Sequence, residues 1–201
     1  MNFKLQLSAK SKSLRRLETH FSFFKQFKNN FSTNINDNKE NKITSYNGVV
    51  YLDHMTQVSE IILNEPLKLN SLDYKMIRSM LRKIRRWVPL NLDGFSSDDN
   101  LTKEEGIVPK IVIMSGAGKA FCAGGDIATL YRIKKHQIAE EMKVLNNFFR
   151  YEYLLDYSLT KMTPIQIAIW QGAVMGGGVG LSIHAPFRVA TETTVYAMPG
   201  I

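Results

Sequence analysis

The first regular alternation of apolar and polar positions begins at Val49. Val49–Asp53 and Val58–Leu63 are short runs rich in β-branched and apolar residues on either side of a His54–Gln57 turn, and they predict two strands. Pro66, in Asn64-Glu65-Pro66, ends the pairing because it has no N–H to donate. Ser71 is the expected N-cap of the next helix. Beyond it Leu72, Met76, Ile77, Met80, Leu81, Ile84 and Trp87 recur at helical spacing, with Lys75, Arg78, Arg82, Lys83, Arg85 and Arg86 between them. The expected element is an amphipathic helix whose basic outer face is a solvated surface; a nucleic-acid contact and a position near an anionic cofactor are the alternatives.

Residues 89–109 are polar and acidic and predict a surface loop. Ile111–Met114 predicts a buried strand, and Asp126 is placed to cap a helix that starts at Ile127. Helical spacing then covers Ile138 to Tyr157, with Glu152 on that helix, until Pro164. Ile165–Trp170 predicts a second buried strand. A small-residue helix through Ala185 follows, and then strands at Phe187–Ala190 and Val195–Met198. No internal repeat is evident. Strands alternating with helices indicate an α/β domain.

Composition changes this picture in one place. The net charge of +8 resembles a nucleic-acid signal, but residues 1–33 hold seven of the 26 basic residues and one of the 18 acids, which accounts for +6. Basicity therefore belongs to a Ser-, Phe- and Asn-rich leader, which reads as a mitochondrial transit peptide; a basic nucleic-acid-binding arm is the alternative. Residues 34–48 read as a polar linker, and 49–201 as the domain. No apolar run reaches the roughly 18 residues of a membrane span. The single cysteine, Cys122, excludes an internal disulfide framework and fits a reducing compartment.

Ten of the 13 glycines lie between Gly116 and Gly200, concentrated in two turns, Gly116–Asp126 and Gly176–Gly180. Each follows an apolar β-branched run and precedes a helical segment. A glycine inside a helix costs about 1 kcal/mol against alanine, so three in succession at a helix start need a reason. Bare backbone lets a ligand approach the free N–H groups of a first helical turn. Gly125 and Gly177 hold comparable places after the two buried strands. Two such donors aimed at one carbonyl oxygen would form an oxyanion hole. Close helix–strand packing is the alternative use of the same glycines.

Asn64-Glu65-Pro66 with Asn70-Ser71, then Gly118-Lys119-Ala120-Phe121-Cys122-Ala123-Gly124-Gly125-Asp126, then Gln171-Gly172 with Met175-Gly176-Gly177-Gly178-Val179-Gly180-Leu181, resemble the crotonase (enoyl-CoA hydratase/isomerase) superfamily. Phe149-Arg150-Tyr151-Glu152-Tyr153 and Phe187-Arg188-Val189-Ala190-Thr191-Glu192 with Ala197-Met198-Pro199 are most similar to its 3-hydroxyisobutyryl-CoA hydrolase branch, mitochondrial thioesterases of valine breakdown. The resemblance runs from Val49 to Pro199 and implies a crotonase-like ββα spiral, incomplete at the C-terminus. It implies that the N–H groups of Gly125 and Gly177 hold a thioester oxygen and that Glu152 lines the acyl pocket. Lys68, Ser71 and Ala123 would lie along the CoA arm. CoA would enter as part of the substrate, and no cofactor or metal is implied. A homo-oligomer in the mitochondrial matrix is the expected setting.

Gly180 falls where hydratases of the superfamily carry a catalytic glutamate, which disfavours hydration or isomerisation. After Met198-Pro199 the hydrolase branch has a glutamate and, further on, an aspartate. This sequence reads Gly200-Ile201, so the expectation is weak turnover or none. The apolar surface left uncovered would favour a partner. The competing expectation is a non-catalytic component of the mitochondrial small ribosomal subunit.

Overall fold

A computed structural model of the chain describes residues 42–54, 57–89, 107–136 and 139–198. The expected leader, the linker up to residue 41, most of the acidic loop and the end of the chain beyond Met198 lie outside the described residues.

Nine strands and four helices are described. β1 (Lys42–Tyr46), β2 (Val49–His54) and β3 (Val58–Leu63) form an antiparallel meander. β4 (Ile111–Gly116), β6 (Ile165–Trp170) and β8 (Phe187–Ala190) extend it in parallel, giving a six-stranded sheet in the order β1-β2-β3-β4-β6-β8. A second sheet contains only three-residue strands, β5 (Ala120–Cys122), β7 (Ala173–Met175) and β9 (Val195–Ala197), paired in parallel. The helices are α1 (Tyr74–Ile84), α2 (Ile127–His136), α3 (Ala139–Lys161) and the short α4 (Gly177–Gly180).

The order of these elements contains a repeat that the sequence did not disclose. β4-β5-α2, β6-β7-α4 and β8-β9 each send a first strand to the large sheet and a second to the small one. This is the expected ββα spiral. β5 and β7 escape a pattern search because each is three residues long and sits inside or beside a glycine turn. A second correction concerns the linker: Lys42–Tyr46 is a strand paired residue for residue with β2, through Lys42 opposite Asp53 to Tyr46 opposite Val49. Its polar side chains hide it because most of them are exposed.

α1 begins later than expected. Ser71 does not cap it; Asp73 does, accepting a 2.8 Å hydrogen bond from the Met76 N–H. Leu72 is held extended by a bridge to Gly125, so the backbone cannot turn helical before Asp73. From there the apolar face packs as its period requires, with Met76, Ile77, Met80, Leu81 and Ile84 all buried among sheet and α3 residues. Burying side chains of this size stabilises by about 1.5–3 kcal/mol each before entropy is subtracted.

The basic face is not the solvated surface the spacing suggests. Of its six cations only Lys75 is exposed. Lys83 is buried and forms an ion pair with Asp53, while Arg78 lies over the rings of Tyr74 and Tyr151 and Arg86 over Trp87. Long aliphatic stems and planar guanidinium groups cover apolar surface that helical periodicity assigns to solvent. Burial acts to raise the Asp53 carboxyl. Hydrogen bonds from Lys83 and Ser59 and the charges of Lys83 and Arg86 outweigh that effect and hold it below its ordinary value.

Candidate active site at the two glycine turns

The first turn is built from its edges inward. The chain leaves β3 through a 3-10 turn at Pro66–Lys68, after which Leu69 and Asn70 both take positive φ, 51° and 56°. Asn70 is fully buried and explains the strain. Its Oδ1 accepts from the Glu65 N–H at 2.8 Å, and its Nδ2 donates to Ala117 O at 2.9 Å and Ala120 O at 2.7 Å. One side chain thus fixes the 65–70 segment onto the entrance of β5. The Ala123 N–H donates to Leu69 O at 3.0 Å, which places Ala123 beside the Lys68–Ser71 segment.

Leu72 then bridges to the turn in parallel register. Its N–H donates to Gly124 O at 2.7 Å and its carbonyl accepts from the Asp126 N–H at 2.8 Å. In this register the Gly125 N–H points away from Leu72 and has no backbone acceptor among the described residues. Asp126 caps α2 as expected, its Oδ1 taking the Thr129 N–H at 3.0 Å, and Lys68 reaches its Oδ2 at 3.3 Å. Burial acts to raise Asp126, but the Thr129 bonds and Lys68 lower it.

The second turn is seated by polar contacts behind it. Gln166 Nε2 on β6 donates to Leu181 O at 2.8 Å. Trp170 Nε1 donates to Ser182 Oγ at 2.9 Å, and that hydroxyl donates to Gly178 O at 2.8 Å. α4 is therefore fixed to β6 at its C-terminal end. At its other end Gly176 takes φ 49°, and Gly177 is the first helical residue, so its N–H has no partner within the helix.

The two turns touch. A Cβ on Gly124, whose φ is 99°, would lie 3.1 Å from Met175 O, 3.5 Å from Gly177 N and 3.6 Å from Gly176 Cα. A Cβ on Gly178 would lie 2.4 Å from Cys122 O, so α4 rests directly on β5. Gly125 and Gly177 are both half-buried and so within reach of a ligand.

Glu152 reaches this junction from α3. It is 7% exposed, and its Oε1 lies 2.1 Å from where a Gly177 Cβ would be. Burial raises its pKa. One turn along the same helix, Asp156 packs on Gly180 in the same way, with Oδ2 2.3 Å from the position of the missing Cβ. Burial first, and then the Glu152 charge, push the Asp156 carboxyl up to about 7. Sequence reasoning did not single out Asp156. Its one signal was a spacing of four residues from Glu152, which on an isolated helix reads as a second solvated acid. Cys122 is buried beneath the turn; burial pushes its thiol up to about 12, so it is a packed neutral group and not a nucleophile.

The structure therefore brings Gly125, Gly177 and Glu152 to one junction, and Lys68, Ser71 and Ala123 along one edge of the first turn. Among the described residues no group of three or more His, Cys, Asp or Glu side chains could hold a metal, and no helix is long and apolar enough to cross a membrane.

Comparison with known proteins places this junction in context. The profile described as "Enoyl-CoA hydratase/isomerase" matches residues 58–201. The "3-hydroxyisobutyryl-CoA hydrolase, mitochondrial" of Dictyostelium discoideum is 42% identical over 70% of this chain and 34% of its own length. The human protein of the same name is 34% identical over 92% of this chain and 42% of its own. "Small ribosomal subunit protein mS47" of Neurospora crassa is 36% identical over 75% of this chain and 26% of its own. Among solved structures, an enoyl-CoA hydratase from Rhodobacter sphaeroides superposes with a TM-score of 0.56 at 27% identity, covering 80% of this chain and 40% of that one. The chain thus spans well under half the length of the curated relatives it matches.

Proposed function

This chain belongs to the enoyl-CoA hydratase/isomerase family, and on that premise we propose that it binds an acyl-CoA thioester at the junction of its two glycine turns. The N–H groups of Gly125 and Gly177 receive the thioester oxygen, Glu152 lines the acyl pocket, and Lys68, Ser71 and Ala123 flank the CoA arm. Polarising that oxygen favours attack at the carbonyl carbon, because charge developing on oxygen meets preorganised donors. The reaction class is thioester hydrolysis of the 3-hydroxyisobutyryl-CoA type, in mitochondrial valine breakdown. The names of the human and Dictyostelium relatives and the acid-poor leader support that substrate and the matrix location.

The observation that carries the reading is the contact of Gly124 with Gly176 and Gly177. The two turns, some fifty positions apart in sequence, meet at Gly124, and each leaves an N–H group, that of Gly125 and that of Gly177, with no backbone acceptor among the described residues. Slow turnover follows from Gly200, which stands where the hydrolase branch carries a glutamate. The ribosomal reading is supported by the Neurospora relative, and no described residue of this junction favours it.

Isothermal titration with acyl-CoA and with free CoA tests the proposal. Gly177→Ala puts a methyl group on Glu152 Oε1 and 3.0 Å from Leu72 Cδ1. Acyl-CoA affinity should fall at least about tenfold, or 1.4 kcal/mol, while free CoA binding changes little. Equal loss for both ligands, or none for either, would overturn it.

A further inference from the structure

Glu152 and Asp156 lie four residues apart on α3, so they share one helix face, and both carboxyls rest on backbone of α4 where glycines leave room. Among the described residues neither is paired with a cation. Glu152 is more than nine-tenths buried as a residue, and the half-buried Asp156 has one oxygen, Oδ1, that is buried without a hydrogen-bond partner among the described residues. The described residues around them supply no counter-charge. From β5 the Cys122 thiol faces the pair as a neutral group. α4 brings only backbone at Gly177 and Gly180. On α1 Arg78 lies over Tyr74 and Tyr151, and on α3 itself Arg150 lies over Tyr151. The charged groups of α2, Arg132, Lys134, Lys135 and His136, are exposed. Burial shifts Glu152, and burial with Glu152 shifts Asp156; no described cation contributes to either.

Two like charges close together in a largely desolvated site destabilise each other unless one is neutralised. We propose that Glu152 and Asp156 hold one proton between them, with Asp156 as the residue that keeps it, and that this proton makes acyl-thioester binding at Gly177 depend on pH. Asp156 is a positioning residue. It acts through Glu152, which it leaves ionised and in place against Gly177. The inference rests on the acyl-CoA reading above for its second half only; the shared proton is a property of the free protein. Loss of that proton above neutral pH adds a second buried charge, which drives the two carboxyls apart and disturbs the Gly177 side of the pocket. A carboxylic acid donates and a carboxylate accepts, so the singly protonated pair also matches an uncharged hydroxyl on an acyl chain, which does both.

Carboxyl 13C titration of the free, full chain tests the shared proton. Asp156 should titrate near neutral pH, and Glu152→Gln should move it back toward the ordinary aspartate range. Titration of Asp156 in that ordinary range in the unaltered chain would overturn the proposal without any variant. The second arm measures binding of 3-hydroxybutyryl-CoA and butyryl-CoA between pH 5 and 9. Affinity for the hydroxyacyl ligand should fall about tenfold per pH unit above the pair's titration, the slope of one linked proton, and Asp156→Asn should flatten the profile. An unchanged profile in Asp156→Asn would overturn the coupling. Absence of binding for both ligands at every pH would sink the acyl-CoA reading and the coupling with it, while the 13C titration still decides the pair.

Discussion

Asp156 shows how one side chain can place a stability cost at the junction of the two glycine turns. Its carboxyl holds a proton up to about pH 7 in the folded chain, against an ordinary value of 3.8 once unfolded. Between those values the folded state binds the more protons, so stability falls as pH rises through the window. Asp53 and Asp126 act in the opposite sense. Their values are lowered on folding, so the stability they contribute is present above the ordinary range and is lost in acid as pH falls through their folded values. The two windows are separate. In thermal melts from pH 4.5 to 8, the unaltered chain should lose stability as pH rises, and Asp156→Asn should remove most of that slope and be the more stable protein by about 1–2 kcal/mol at pH 8. Parallel curves for the two proteins would show that Asp156 ionises freely.

Among the elements, α4 is the one whose position decides the site, and its glycines differ in what they exclude. Gly178 faces the Cys122 carbonyl, which belongs to β5 and cannot retreat, whereas Gly180 faces only the flexible carboxyl of Asp156. Gly178→Ala should therefore cost more than about 2 kcal/mol in chemical denaturation, and Gly180→Ala clearly less, with Asp156 swinging away. Costs in the reverse order would mean that α4 does not rest on β5 as described. Legibility in the sequence follows the same physical lines. α1 was readable because five buried positions recur at helical period, and β2 and β3 because their apolar runs are long enough to pattern. β1 was hidden by polar, exposed side chains, and β5 and β7 by their length. Ser71 reads as the cap from local sequence because nothing nearby reveals that Leu72 is held extended by Gly125, fifty-three positions on.

For the molecule as a whole, the site arises because the same units supply strands to both sheets. Each ββα unit delivers a strand to the large sheet, a short strand to the small one, and a turn between them and a helix. Pairing β5 with β7 in parallel brings the two glycine turns into contact, and α3 closes the junction with Glu152 and Asp156. Glycine content pointed to both turns, and the family motifs to Gly125, Gly177 and Glu152. Asp156 was illegible because its role depends on the space over Gly180, a purely tertiary fact. The same limit applies to Lys83, which reads as a surface cation until Asp53 is seen to meet it.

The central claim, that the N–H groups of Gly125 and Gly177 jointly receive a thioester oxygen, is tested most directly by amide NMR of the chain labelled with 15N-glycine. Addition of butyryl-CoA should move the Gly125 and Gly177 amide protons downfield together, as expected for two N–H groups gaining one strong acceptor, and free CoA should leave both nearly unmoved. If butyryl-CoA binds and neither amide shifts, or only one does, the two turns do not form a shared oxygen site and the account fails.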